Sequence, residues 1–231
     1  MNESLQTNTG HAGFGSLAAD RNRVLRNTYW LLALSMVPTV LGAWVGVSTG
    51  VVSAMGPVVS LVVFLAGAFG FMYAIEKTKH SSTGVLLLLA FTFFMGLMLS
   101  RLVGAVLGFR NGGSLVMTAF GGTAVVFLAM ATLASVIKRD LSGMGKFLFV
   151  GAIILLIAGI VNVFLQSTAM MATLATLAIV IFSAFMLYDI KRVIDGGETN
   201  YVSATLAIYL DIYNVFQSLL ALLGIFGGER D

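Results

Sequence analysis

The chain has 231 residues, of which 58% are hydrophobic and only 10% charged, with a mean hydropathy of +0.98. A soluble domain carries about 25% charged residues, so this composition excludes one and points to an integral membrane protein. The net charge of +3 is spread over loops, unlike a nucleic-acid footprint, and the absence of cysteine excludes disulfides, thiolate metal sites and cysteine nucleophiles.

The apolar runs are long and unbroken, which excludes a β-barrel and gives an all-α membrane fold. Residues 1–27 are polar and lack the apolar core of a signal peptide, so they are expected to form a disordered cytoplasmic tail. A span needs about 20 apolar residues. Seven stretches qualify: Thr28–Val47, Pro57–Ile75, Gly84–Leu107, Leu115–Ile137, Phe147–Leu165, Met170–Ile190 and Val202–Phe226. Pro57 suits the first position of a helix. The expected organisation is therefore a tail (1–27), a seven-helix transmembrane domain (28–226) and a short second tail (227–231).

Charge sets the expected orientation. Arg21, Arg23, Arg26, Lys77, Lys79, Lys138, Arg139, Lys146, Lys191 and Arg192 fall in the N-terminal tail and beside the turns after spans two, four and six. The other side holds Arg110 and Arg230, with Arg101 near it. Lysine and arginine favour cytoplasmic loops, so the N-terminus is expected inside and the C-terminus outside, in the periplasm of a bacterial inner membrane.

Three glycine pairs are spaced four apart: Gly42 and Gly46, Gly104 and Gly108, Gly224 and Gly228. This spacing lets helices approach closely in lipid and marks packing surfaces. In the seventh span, Ala204, Ala207, Asp211, Asn214 and Ser218 recur at three- and four-residue steps and share one face. Lipid cannot satisfy a polar stripe, so this helix is expected at the centre of the bundle.

Asp189 and Asp211 sit in the last two spans, on either side of the Gly196–Gly197 turn. A carboxylate at bilayer depth costs about 3 kcal/mol on insertion scales, which makes both candidates for a functional site. An antiparallel hairpin would leave them roughly 10 Å apart in depth at 1.5 Å per residue, and a small shift in the end of the sixth helix closes that gap. Carboxyls in contact in a low-dielectric site cannot both ionise easily; they share a proton and titrate as a pair. Such a pair can act as a pH-dependent latch or as an oxygen site for a cation such as calcium. The alternative is a pair of buried acids that only bridge helices.

Other polar residues carry secondary roles. Arg101 either snorkels to the outer interface or lines a pathway. Glu76 and Lys77 are expected to pair at a helix end, with Lys77 an alternative partner for an aspartate. Asn162 and Gln166 are expected to hydrogen-bond between helices, and His11 and His80 to stand alone. No resident cofactor is expected. No zinc-protease, nucleophile-elbow or phosphate-loop motif occurs. Tyr188–Asp189 matches half of the intramembrane aspartyl protease pattern, but residues 208–211 read Ile-Tyr-Leu-Asp and lack the glycines of the other half. The chain is expected not to be an enzyme.

The segments VLRNTYW, FGGTAVVF, GGETNYV and IYLDIYNVFQSLL resemble the Bax inhibitor (TMBIM) family over nearly the whole chain, with its bacterial YccA-like branch most similar. The resemblance implies six helices around a central seventh. In calcium-leaking bacterial relatives, one aspartate in each of the last two spans forms a pH-responsive pair, and Asp189 and Asp211 stand at the matching positions. Those relatives carry an arginine at the end of the second span, where this chain has Ala74, Ile75, Glu76, Lys77 and Thr78; Lys77 is the nearest replacement. A proline is usual where Arg101 stands. YccA-branch members lacking the acidic pair modulate the membrane protease FtsH. The resemblance thus implies two functions: a pH-sensitive calcium leak, or a non-enzymatic FtsH modulator.

Overall fold

The computed structural model describes residues 8–229, with side chains from Asp20 onward. The outermost ends of both expected tails, and the side chain of His11, lie outside the described residues. The described chain is helical throughout, without strands, in the order α1 (Asn8–Thr49), α2 (Val51–Ala54), α3 (Pro57–Thr78), α4 (Ser82–Leu107), α5 (Gly112–Val136), α6 (Met144–Leu165), α7 (Thr168–Ile194) and α8 (Tyr201–Gly227). All but the one-turn α2 are long and apolar enough to cross a membrane, which makes the chain a multi-pass membrane protein of seven spans.

The last six spans match their expected stretches to within four residues, and local chemistry explains the ends. Pro57 opens α3 after an extended Gly56. Ser167 caps α7 by accepting from the Met170 amide. Asn200 caps α8 by accepting from the amides of Val202 and Ser203. Gly196, at φ +81°, makes the left-handed step of the α7–α8 turn.

The first helix departs from expectation. It begins at Asn8 rather than Thr28, so the stretch 8–27 is helix and not a disordered tail. Elongating a formed helix is easy, and its polar extension finds a support. The Arg21 side chain packs over Gly196, where a Cβ would lie 2.9 Å from the Arg21 Cδ.

Two ends can now be defined. The basic end holds the start of the membrane part of α1 and the α3–α4, α5–α6 and α7–α8 turns. The opposite end holds α2, the α4–α5 and α6–α7 turns and the end of α8. Lipid gives apolar side chains little reason to leave it, so packing of small residues and interhelical hydrogen bonds must hold the bundle. On the seam between α1 and α4, a Cβ on Gly42 would strike the Phe93 carbonyl, one on Gly46 the Ser100 side chain, and one on Gly96 the Thr39 carbonyl. Gly224 and Gly228 likewise press on Val106 and Phe109, while Gly104 has more room.

Helix α8 lies at the centre. It packs against α1, α3, α4, α5 and α7, and eleven of its residues are buried. By contrast α6 has no buried residue and leans mainly on α7. The stripe read from sequence faces inward: Ala204, Asp211 and Ser218 are buried. Tyr209 and Tyr213 add anchors. The Tyr209 hydroxyl sits 2.9 Å from the Thr39 hydroxyl and 3.4 Å from the Thr92 carbonyl, and the Tyr213 hydroxyl donates to the Met95 carbonyl at 3.3 Å.

Candidate functional site

Asp189 lies five residues before the end of α7, and Asp211 ten residues after the start of α8. Their carboxyls nevertheless meet within hydrogen-bonding reach. The sixth span runs on to Ile194, four residues past the expected Ile190, and the connection 195–200 absorbs the remaining stagger. Asp211 is 4% exposed and Asp189 half-buried. Asp211 Oδ2 is buried with no hydrogen-bond partner, an arrangement that costs about 1–3 kcal/mol for an ordinary polar group and more for a charged one. Asp189 is the one charged neighbour acting on Asp211 among the described residues.

Two residues missed in the sequence complete the site. The charged neighbours of Asp189, apart from its acid partner, are Arg192 and Glu198. Arg192 follows Asp189 by three positions on the same helix face, and that spacing was the available signal. Its Nη2 lies 3.5 Å from Glu198 Oε2, and its Nε donates to the Gly197 carbonyl. Glu198 Oε1 accepts from the Asn200 amide, and Asn200 Nδ2 donates to the Lys79 carbonyl and approaches His80 Nδ1 at 3.3 Å. A polar chain thus links the acid pair to the α3–α4 turn. His80 belongs to it and does not stand alone.

The other expected partners lie elsewhere. Lys77 is exposed, with its ammonium 4.7 Å from the Tyr73 ring centroid, so it does not serve the acid pair. Glu76 pairs with Lys79 instead of Lys77. Adjacent helical residues point about 100° apart, whereas residues three apart share a face. Asn214 donates to the Leu210 carbonyl one turn back, and Ser218 is buried farther along the same stripe. Asn162 accepts from the Ser167 amide within the α6–α7 turn. Arg101 is exposed and lines a cavity at the opposite end, far from the acids.

Two carboxyls fall short of the six to eight oxygens that calcium takes, and no cluster of three histidine or acidic side chains fit for a metal occurs among the described residues. Two carboxyls in contact suit the sharing of a proton.

Comparison with known proteins agrees with this architecture. The profile of the family described as inhibitor of apoptosis-promoting Bax1 matches residues 21–228. The modulator of FtsH protease YccA of Escherichia coli is 36% identical over 203 residues, covering 88% of this chain and 90% of that protein. Its counterpart in another strain is named inner membrane protein YccA, with the same identity and coverage. An uncharacterized membrane protein of Vibrio cholerae is 36% identical over 206 residues, 89% of this chain and 91% of its own. On a match that spans almost every helix, the chain belongs to the Bax inhibitor family of membrane proteins.

Proposed function

We propose that the chain is a pH-gated cation leak of a bacterial inner membrane, with calcium as the permeant ion and the Asp189–Asp211 pair as its sensor. One observation carries the reading: two carboxyls from the last two spans meet in a nearly dry site. Two carboxyl groups can hydrogen-bond to each other only while at least one holds a proton. In that state the pair ties α7 to α8 and keeps the path shut. Rising pH removes the shared proton, and two carboxylates at contact repel strongly in a low dielectric. Asp189 can then turn toward Arg192, α7 and α8 part, and Asp211 is freed toward the path. The sign follows: the leak is low at acidic pH and rises with pH. The concentration of Lys and Arg at one end supports a cytoplasmic N-terminus and a periplasmic C-terminus. On this reading the protein is not an enzyme, and the cation is cargo, not cofactor.

Calcium uptake into proteoliposomes across a pH series tests the proposal. Wild-type flux should rise with pH, and Asp189→Asn or Asp211→Asn should flatten the profile at its low level. An unchanged profile in both variants rejects the sensor.

A second reading rests on the relative named a modulator of FtsH protease. Here the chain binds FtsH through its helix surfaces and the extended N-terminal helix, and tunes turnover of membrane proteins. Absence of FtsH from membrane pull-downs, with unaltered substrate turnover on deletion, would count against it. The two roles are compatible.

A further inference from the structure

The opposite end contains a cavity of about 540 Å³ walled by α3, α4, α6, α7 and α8, with Val52 of α2 at its edge. Its lining includes one cation, Arg101, and no acid. Arg101 lies six residues inside the end of α4, about 9 Å along the helix at 1.5 Å per residue. Among the described residues no carboxylate pairs with it. An arginine set inside a span ordinarily finds a partner or a polar cavity.

The polar groups around Arg101 point the same way. Gln166 closes α6 at φ 50°, the one non-glycine residue with positive φ among the described residues. Left-handed backbone at a non-glycine residue costs on the order of 1 kcal/mol and clusters at ligand sites. Its side chain and that of Gln217 line the cavity without a hydrogen bond to any described residue, and Asn162 lines it with its Nδ2 unused. The remaining walls are apolar, among them Leu61, Phe64, Met98 and Leu102. A guanidinium and several idle donors are therefore set beside a greasy wall, within the thickness of the spans.

We propose that this cavity is a binding site for the phosphate of an anionic phospholipid, held by Arg101 with Gln166 and Gln217 as further donors and with the acyl chains along the apolar wall. A guanidinium suits phosphate because it offers a planar fork of donors. The apolar wall favours a lipid over free phosphate, which would leave that wall unused. The site is independent of the acid pair and stands whether or not the chain conducts.

Native mass spectrometry of the detergent-solubilised full chain tests it. Phosphatidylglycerol, phosphatidylcholine and inorganic phosphate are titrated separately against wild type, Arg101→Gln, Arg101→Lys and Leu102→Trp. The basic end will also attract acidic lipid, so the reading lies in the difference between variants. Wild type should retain phosphatidylglycerol over phosphatidylcholine. Arg101→Gln should weaken that retention by roughly tenfold, the effect of losing a charged hydrogen-bond donor. Arg101→Lys should keep part of it, and Leu102→Trp should reduce it by filling the cavity with the arginine intact. Matching circular dichroism and melting without added lipid show that each variant is folded; a misfolded one leaves the decision to the other two. Equal phosphatidylglycerol retention by wild type and the folded variants overturns the proposal and leaves Arg101 a snorkelling side chain. Inorganic phosphate binding as well as the lipid overturns the lipid source.

Discussion

The two ends of the same bundle are built in opposite ways. At the basic end α7 and α8 are tied by an acid pair, and a polar chain runs from Asp189 through Arg192, Glu198 and Asn200 to the α3–α4 turn. At the opposite end the helices separate around a cavity, with a strained Gln166 and unused donors. There α8 is held by the α4–α5 turn: Asn111 Nδ2 donates to the Gly227 carbonyl at 2.7 Å, and its Oδ1 accepts from the Glu229 amide. One end is closed by groups that a proton can rearrange, the other stays open by shape. On the proposed readings, the gate lies at the first and a standing binding site at the second.

Perturbations should separate the ends. The largest effect is expected at the acid pair. Asp211→Asn keeps a hydrogen-bonding carboxamide but removes the repulsion. Calcium flux at alkaline pH should fall roughly tenfold, the change that about 1.4 kcal/mol brings. Next is Asn200→Ala, which deletes the α8 cap and the bridge to Lys79 and His80. It should lower stability by about 1–2 kcal/mol, read from the thermal midpoint in detergent. Asn111→Ala removes fewer partners and should cost about 1 kcal/mol in the same assay; a larger loss there than at Asn200 would reverse the ranking of the two ends. Tyr213→Phe, which deletes one interhelical hydrogen bond to the Met95 carbonyl, should cost about 0.6 kcal/mol.

The smallest effect concerns the α5–α6 turn. The Ser142 amide and hydroxyl, both bonded to the Asp140 carboxylate, hold it below the usual carboxylate range. A carboxyl lowered in the folded state contributes above its unfolded value and loses that contribution as pH falls through the lowered one. Ser142 amide protection should therefore persist through neutral pH and fade only under acid, without moving the global melt.

Much of this was legible in the sequence because lipid imposes simple rules. Apolar length gave the spans, and the Asp211 stripe gave the inward face of α8. Gly42, Gly46, Gly224 and Gly228 marked close approaches. Contacts decided by rotation within a turn were not legible. The sequence offered Lys77 first as a partner of Glu76 and alternatively of the acid pair, but helical geometry turns Lys77 toward Tyr73 and puts Arg192 beside Asp189. The helix over 8–27 was missed because its support, Arg21 over Gly196, joins residues far apart in the chain. The cavity was missed because it is formed where five helices diverge, a property of crossing geometry and not of any one segment.

The proposed gate rests on a proton shared between Asp189 and Asp211. Infrared difference spectroscopy of the reconstituted full chain, stepped from acidic to alkaline pH, reads that proton directly. A shared proton predicts a protonated-carboxyl band that disappears as the leak rises and that shifts in frequency and midpoint in both Asp189→Asn and Asp211→Asn. A band unchanged in both variants, or a leak that rises while the band stays constant, would contradict it.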